Sequence, residues 1–174
     1  MGKHRKDRLS RLAKAIDALA ERDEQLLRAA ERVDRLRPQG ALMLHDLCRQ
    51  FVEALNACLK EPAVTFDPPC WTMESFTDGA VHLFQINLRG RLLQMAFRST
   101  DQLQSTEDFA KPYILEGAVR CFNQELLESS RVDEQQIFFC TQGSAGQWHY
   151  SDRRLYRTGL VTEDYLAGEL ERLL

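Results

Sequence analysis

The chain has 174 residues, of which 44% are hydrophobic and 28% charged, with a formal net charge of −3. That balance excludes disordered and fibrous classes and suits one globular domain with an appendage. No apolar run approaches the roughly 18 residues of a membrane span, and the stretch MGKHRKDR lacks the apolar core of a signal peptide; a soluble, cytoplasmic protein without membrane contact is expected.

Charge is split along the chain. Residues 1–40 carry eleven Lys and Arg against seven acids, a net of +4, and residues 41–174 carry a net of −7. Such a change of sign suggests two regions with different jobs. The expected division is a long, basic, heptad-like helix over 1–40, serving dimerisation or docking, and an α+β globular domain over 41–174.

Within the first region Leu9, Leu12, Ile16, Leu19, Leu26, Ala30 and Val33 recur at alternating steps of three and four. One heptad core position holds Leu9, Ile16, Asp23, Ala30 and Arg37; the other holds Leu12, Leu19, Leu26 and Val33. An apolar seam of this kind suits a coiled coil, in which Asp23 and Arg37 are polar interruptions. Leu9, Leu12, Ile16, Leu19, Leu26 and Val33 are therefore the candidate partner-binding or dimer seam. Pro38, Gln39 and Gly40 are expected to end the helix. A second helix over about 41–60, with Leu44, Cys48, Phe51 and Leu55 on one face, would then form a helical hairpin with the first.

From about residue 63 the period changes from helical to alternating. Val64–Phe66 and Cys70–Phe76 read as short strands. Val81–Leu88 and Arg91–Phe97 flank Arg89-Gly90 as a hairpin that pairs Leu88 with Arg91, Ile86 with Leu93 and Phe84 with Met95. Residues 100–111 are polar and read as a loop. Pro112 suits the first turn of a helix to about Ser129, burying Leu115, Ala118, Val119, Phe122 and Leu126. Ile137–Cys140 and Gln147–Tyr150 predict a second hairpin around residues 142–146, with a further strand at Arg154–Arg157 stopped by Gly159. Thr162 is a good N-cap for a last helix, Glu163–Leu174. The expected fold is α+β: a long N-terminal helix and helical hairpin, then a mostly antiparallel sheet of five to six strands with two further helices on one face.

The chemistry is largely one of exclusions. Cys48, Cys58, Cys70, Cys121 and Cys140 are odd in number and form no CxxC, as buried free thiols in a reducing compartment would. Neither they nor His4, His45, His82 and His149 cluster at ligand spacing, so no metal site is expected. The glycines form no GxxxxGK[S/T] and no GxGxxG, so no nucleotide cofactor is expected either. Cys140 and His149 share a face of the second hairpin and are the one candidate nucleophile and base, though short hairpins bring many pairs together by chance. The order of elements is similar to that of restriction-endonuclease-like folds, but Gln94-Met95-Ala96 lacks the lysine such a site needs. Over residues 41–174 the order also looks like that of the dimeric chaperones of type III secretion, with no motif behind it.

Two readings follow, neither with a catalytic residue. The leading one is a non-enzymatic protein-interaction module, adaptor or chaperone-like, a homodimer or bound to a protein partner through the N-terminal helix. The alternative is a nucleic-acid-associated protein that uses Lys3, Arg5, Lys6 and Arg8 with the cluster Arg153, Arg154 and Arg157, where Trp148, Tyr150 and Tyr156 supply stacking surfaces.

Overall fold

A computed structural model describes residues 2–107, 109–123, 133–142 and 145–174. It is α+β: one long helix, a seven-stranded antiparallel sheet and a short C-terminal helix. The chain divides into two compact units, Met1–Arg35 and Leu36–Leu174. No helix among the described residues is long and apolar enough to cross a membrane.

The first helix, α1, runs from Gly2 to Cys58 with Pro38 inside it. The expected stop at Pro38-Gln39-Gly40, and with it the helical hairpin, does not occur. An interior proline costs about 3 kcal/mol and a glycine about 1 kcal/mol, so something must offset both. The offset is burial, because Leu36, Ala41, Leu44 and Cys48 are all taken from water directly around the break. Gly40 is required there. A Cβ on it would stand 2.7 Å from the Phe139 ring, and the Trp148 indole N–H donates to its carbonyl at 2.7 Å.

The sheet is a meander whose strands lie side by side in chain order. They are β1 (Val64–Asp67), β2 (His82–Leu88), β3 (Arg91–Gln104), β4 (Tyr113–Phe122), β5 (Asp133–Gln142), β6 (Ala145–Asp152) and β7 (Arg157–Leu160). The first hairpin has the expected register, with Leu88 opposite Arg91 and Phe84 opposite Met95. Arg89 takes φ 49° and Gly90 φ 88° in its turn, the two positive values of a type I′ connection. Phe84, Ile86, Leu93, Met95, Phe97, Ile137 and Phe139 are buried. The C-terminal part of α1 covers this face, with Cys48 Sγ 3.6 Å from Met95 Sδ.

Four other expectations are corrected. Residues 113–122 form β4 and not a helix. The steps of three and four among Leu115, Ala118, Val119 and Phe122 coexist with an alternation, Leu115, Gly117, Val119, Cys121, and strand pairing on both sides selects the latter. Gly117 fits because a Cβ would meet the Ala96 carbonyl oxygen at 2.3 Å. Residues 124–129 of that expected helix, with Leu126, lie outside the described residues, as do Gly143 and Ser144 of the second hairpin loop. Cys70–Phe76 holds a 3-10 turn, Met73–Ser75, in place of a strand, and β3 continues to Gln104 through the expected loop. The last strand begins at Arg157, the final residue of the stretch expected to form it, and runs to Leu160. Gly159 lies inside it, where a Cβ would meet the Tyr150 ring at 2.7 Å. With these changes the strands number seven among the described residues, and the likeness in element order to nucleases and secretion chaperones lapses, since both placed a helix where β4 lies.

The C-terminal helix, α2 (Glu163–Glu171), starts as expected: the Thr162 side chain accepts from the Tyr165 N–H at 3.3 Å. It ends at Glu171, short of the expected Leu174. Its Leu166 and Leu170 are buried, and Glu169 accepts from Gln135 at 2.9 Å.

The two helix glycines make opposite predictions. Gly40→Leu should lower stability by about 1–3 kcal/mol through overpacking on Phe139. Gly168→Ala, with nothing within 4 Å of the new methyl group, should raise it by about 0.5–1 kcal/mol. Urea midpoints of the two variants against the parent check both.

Candidate functional site

The seam residues stand in the first unit. Every described side chain from Asp7 to Arg32 is exposed, and Val33 is half-buried. Leu9, Leu12, Ile16, Leu19 and Leu26 are each 56–60% exposed, and Leu27, at a flanking position, is 64% exposed. Heptad spacing places the five on one side of the helix. Local ion pairs contribute little; the Arg28–Glu24 bridge at 2.5 Å joins two exposed side chains one turn apart, a type worth tenths of a kcal/mol. A helix whose apolar side chains from residue 7 to 32 all stand in water lacks the packing that supplies most helical stability in proteins.

Arg37 leaves the seam altogether. Although it falls on the same heptad position as Leu9 and Ile16, its guanidinium is buried in the second unit. It is 3.3 Å from Asp78 and donates to the Thr100 carbonyl, tying α1 to the turn before β2 and to β3. The seam therefore ends at Val33.

Of the candidate nucleic-acid contacts, Lys3, Arg5 and Lys6 fall on the first turns of α1, with side chains outside the described residues; Arg8 is exposed. The other group sits at the turn between β6 and β7. Asp152, itself buried, shapes that turn by accepting from the Arg154 and Leu155 backbone N–H groups at 2.9 and 3.2 Å. The result is a run, residues 153–157, in which Arg153, Arg154, Leu155, Tyr156 and Arg157 are all exposed. Tyr156 is 95% exposed at φ 50°, a left-handed conformation that is strained for a residue with a side chain. Trp148 and Tyr150 do not join it. Trp148 is buried against Phe97 and Phe139, and Tyr150 stacks on Tyr165 at 4.5 Å.

Cys140 and His149 do share a sheet face, as the alternation predicts, because Phe138 is the direct partner of His149 and Cys140 lies two residues on. That face carries a small aromatic cluster away from the helices: Phe109 stacks on Phe138 at 4.4 Å, and Tyr113 lies 4.6 Å from the same ring. Burial pushes the Cys140 thiol up to about 12, although the Lys111 ammonium pulls the other way. Burial, helped by Lys111, holds the His149 imidazole below its usual range. Its Nε2 is buried without a hydrogen-bond partner, and the thiol donates weakly to the Phe138 carbonyl at 3.8 Å. An activated cysteine needs a lowered thiol and a partnered base, and both are reversed here. The two residues pack.

A second histidine, His45, is buried at the centre of an aromatic cluster of Phe66, Trp71 and Phe84. Its Nε2 donates to the Pro68 carbonyl at 2.9 Å, which pins the segment after β1 onto α1. Nothing in the sequence separated this residue from the other three histidines, because the contact spans 23 positions. Among the described residues no group of three His, Cys, Asp or Glu side chains is placed to hold a metal ion.

Comparison with protein-family models, curated proteins and solved structures gives no match.

The thiols give a direct check on the packing role of Cys140. At pH 8 the exposed Cys58 and Cys70 should alkylate readily, and the buried Cys140 at least about tenfold more slowly than free cysteine. Peptide mapping after timed iodoacetamide labelling measures this; a Cys140 rate at or above that of free cysteine would restore the dyad.

Proposed function

We propose that this protein is a non-enzymatic interaction module, adaptor or chaperone-like in character, that self-associates through the seam Leu9, Leu12, Ile16, Leu19, Leu26 and Val33. One observation carries the reading: a row of large apolar side chains, each more than half exposed, stands at heptad spacing on a helix whose described side chains from residue 7 to 32 are all in solvent. Isolated exposed leucines need no explanation, but a row of them along one side of a helix marks an interaction surface. Pairing two such stripes removes both from water and supplies the packing that a solvated helix lacks. The inert state of Cys140 and His149 weighs against catalysis at that pair.

Light scattering on the full chain is expected to give a dimer. Leu12→Glu with Leu19→Glu should weaken it by at least about a hundredfold, since each buried leucine lost from a core costs 2 kcal/mol or more. The near-ultraviolet dichroism of the second unit should not change. A monomeric parent chain would overturn the self-association proposed here.

A second reading is favoured by Tyr156. Its near-complete exposure in a strained conformation, among Arg153, Arg154 and Arg157, is the arrangement that stacks a base and contacts phosphates. On this reading the hairpin tip and the basic start of α1 bind single-stranded nucleic acid. Fluorescence anisotropy with a labelled oligonucleotide should then show affinity that falls steeply with salt and is lost in Tyr156→Ala. No binding at low salt would remove this reading.

A further inference from the structure

We infer that the seam pairs with a second copy of the chain in antiparallel orientation, the two helices crossing level at Glu21. This inference rests on the self-association proposed above and goes on to fix its direction and register.

Asp23 disfavours a parallel pair. It occupies a core heptad position between Ile16 and Ala30. In a parallel, in-register pair each core residue meets its own copy, so two Asp23 carboxylates would face each other in a desolvated layer, where like charges are most costly. Antiparallel pairing sets the two core positions against one another instead. With the helices level at Glu21, Leu9 meets Val33, Leu12 meets Ala30, Ile16 meets Leu26 and Leu19 meets Asp23, each layer occurring twice by symmetry. Asp23 then lies against a leucine, on the side of the interface that carries Arg22 of both copies. Shifting the register by one heptad in either direction loses two of these eight layers and leaves apolar seam residues uncovered.

Charge along the helix disfavours the parallel pair as well. Residues 3–14 hold six basic residues and one acid, and a parallel pair would lay these two basic ends side by side. In the antiparallel pair residues 8–14, which include Arg8, Arg11 and Lys14, lie beside residues 28–34 of the second copy, where Arg28, Glu31, Arg32 and Asp34 cancel. The flanking positions add no reason for the parallel form. Its cross-strand pairs would be Arg8 with Ala13, Ala15 with Ala20, Arg22 with Leu27 and Ala29 with Asp34, none of them oppositely charged. In the antiparallel form Leu27, exposed in the single chain, covers Ala13 of the second copy.

The test uses the full chain with Cys58→Ser and Cys70→Ser, which remove the two exposed thiols. Ile16→Cys and Leu26→Cys variants are made separately in that background, mixed, allowed to exchange and oxidised with diamide. Digestion and mass spectrometry then identify the linked peptides. The inference expects 16-to-26 links in excess of 16-to-16 and 26-to-26 links by about tenfold or more. Predominant 16-to-16 and 26-to-26 links would overturn the antiparallel orientation while leaving self-association intact. A dimer by light scattering with no link of any kind would overturn the register. A monomer in the same light-scattering run would overturn the self-association itself, and the orientation with it.

Discussion

The Phe139 ring is held between two glycines, and most of the second unit follows from that contact. A Cβ on Gly40 would stand 2.7 Å from the ring, and one on Gly146 would stand 2.1 Å away. Helix α1 therefore approaches β5 more closely than any larger residue allows, and β6 lies tight against the same ring. The Trp148 indole closes the arrangement by donating to the Gly40 carbonyl. Close approach lets Leu44, Cys48 and Phe51 reach the sheet, and that burial offsets the proline and glycine in mid-helix. A segment that would break an isolated helix is the segment along which this one is held.

Because α1 does not turn back at Gly40, the expected hairpin helix does not form, and the described side chains over 7–32 stand in solvent. The seam is left in solvent by the same packing that stabilises the rest of the chain. Arg37 marks the change of role along the helix. One heptad position delivers Leu9 and Ile16 to water and Arg37 to a buried contact with Asp78 and Thr100. A single run of helix thus serves as core at one end and as an available surface at the other. The sheet face away from the helices shows the same economy of chemistry, since Phe109, Tyr113, Phe138 and Cys140 form a satellite apolar cluster there.

What was legible in the sequence was local. The register of the first hairpin, the Thr162 cap and the shared face of Cys140 and His149 follow from turn chemistry and alternation within a few residues. The seam was legible too, because a heptad pattern depends only on spacing. The misreadings fell where distant contacts decide. Gly40 reads as a stop until Phe139, about a hundred residues on, is known to need the space. Residues 113–122 satisfy both a helical and a strand period, and only neighbours on either side select the strand. The roles of Arg37 and His45 depend on partners 41 to 63 and 23 positions away. Tyr156 carried no local signal of its backbone conformation, which the Asp152-capped turn imposes.

The central claim is that the helix over residues 7–33 depends on an intermolecular partner, whereas the helix over 41–58 depends on its own sheet. Amide hydrogen exchange read by mass spectrometry, on the parent and on the Leu12→Glu, Leu19→Glu variant, separates the two dependences. The account predicts strong protection of 7–33 in the parent and its collapse in the variant, with 41–58 and the strands unchanged. Equal protection of residues 7–33 in both proteins would contradict it.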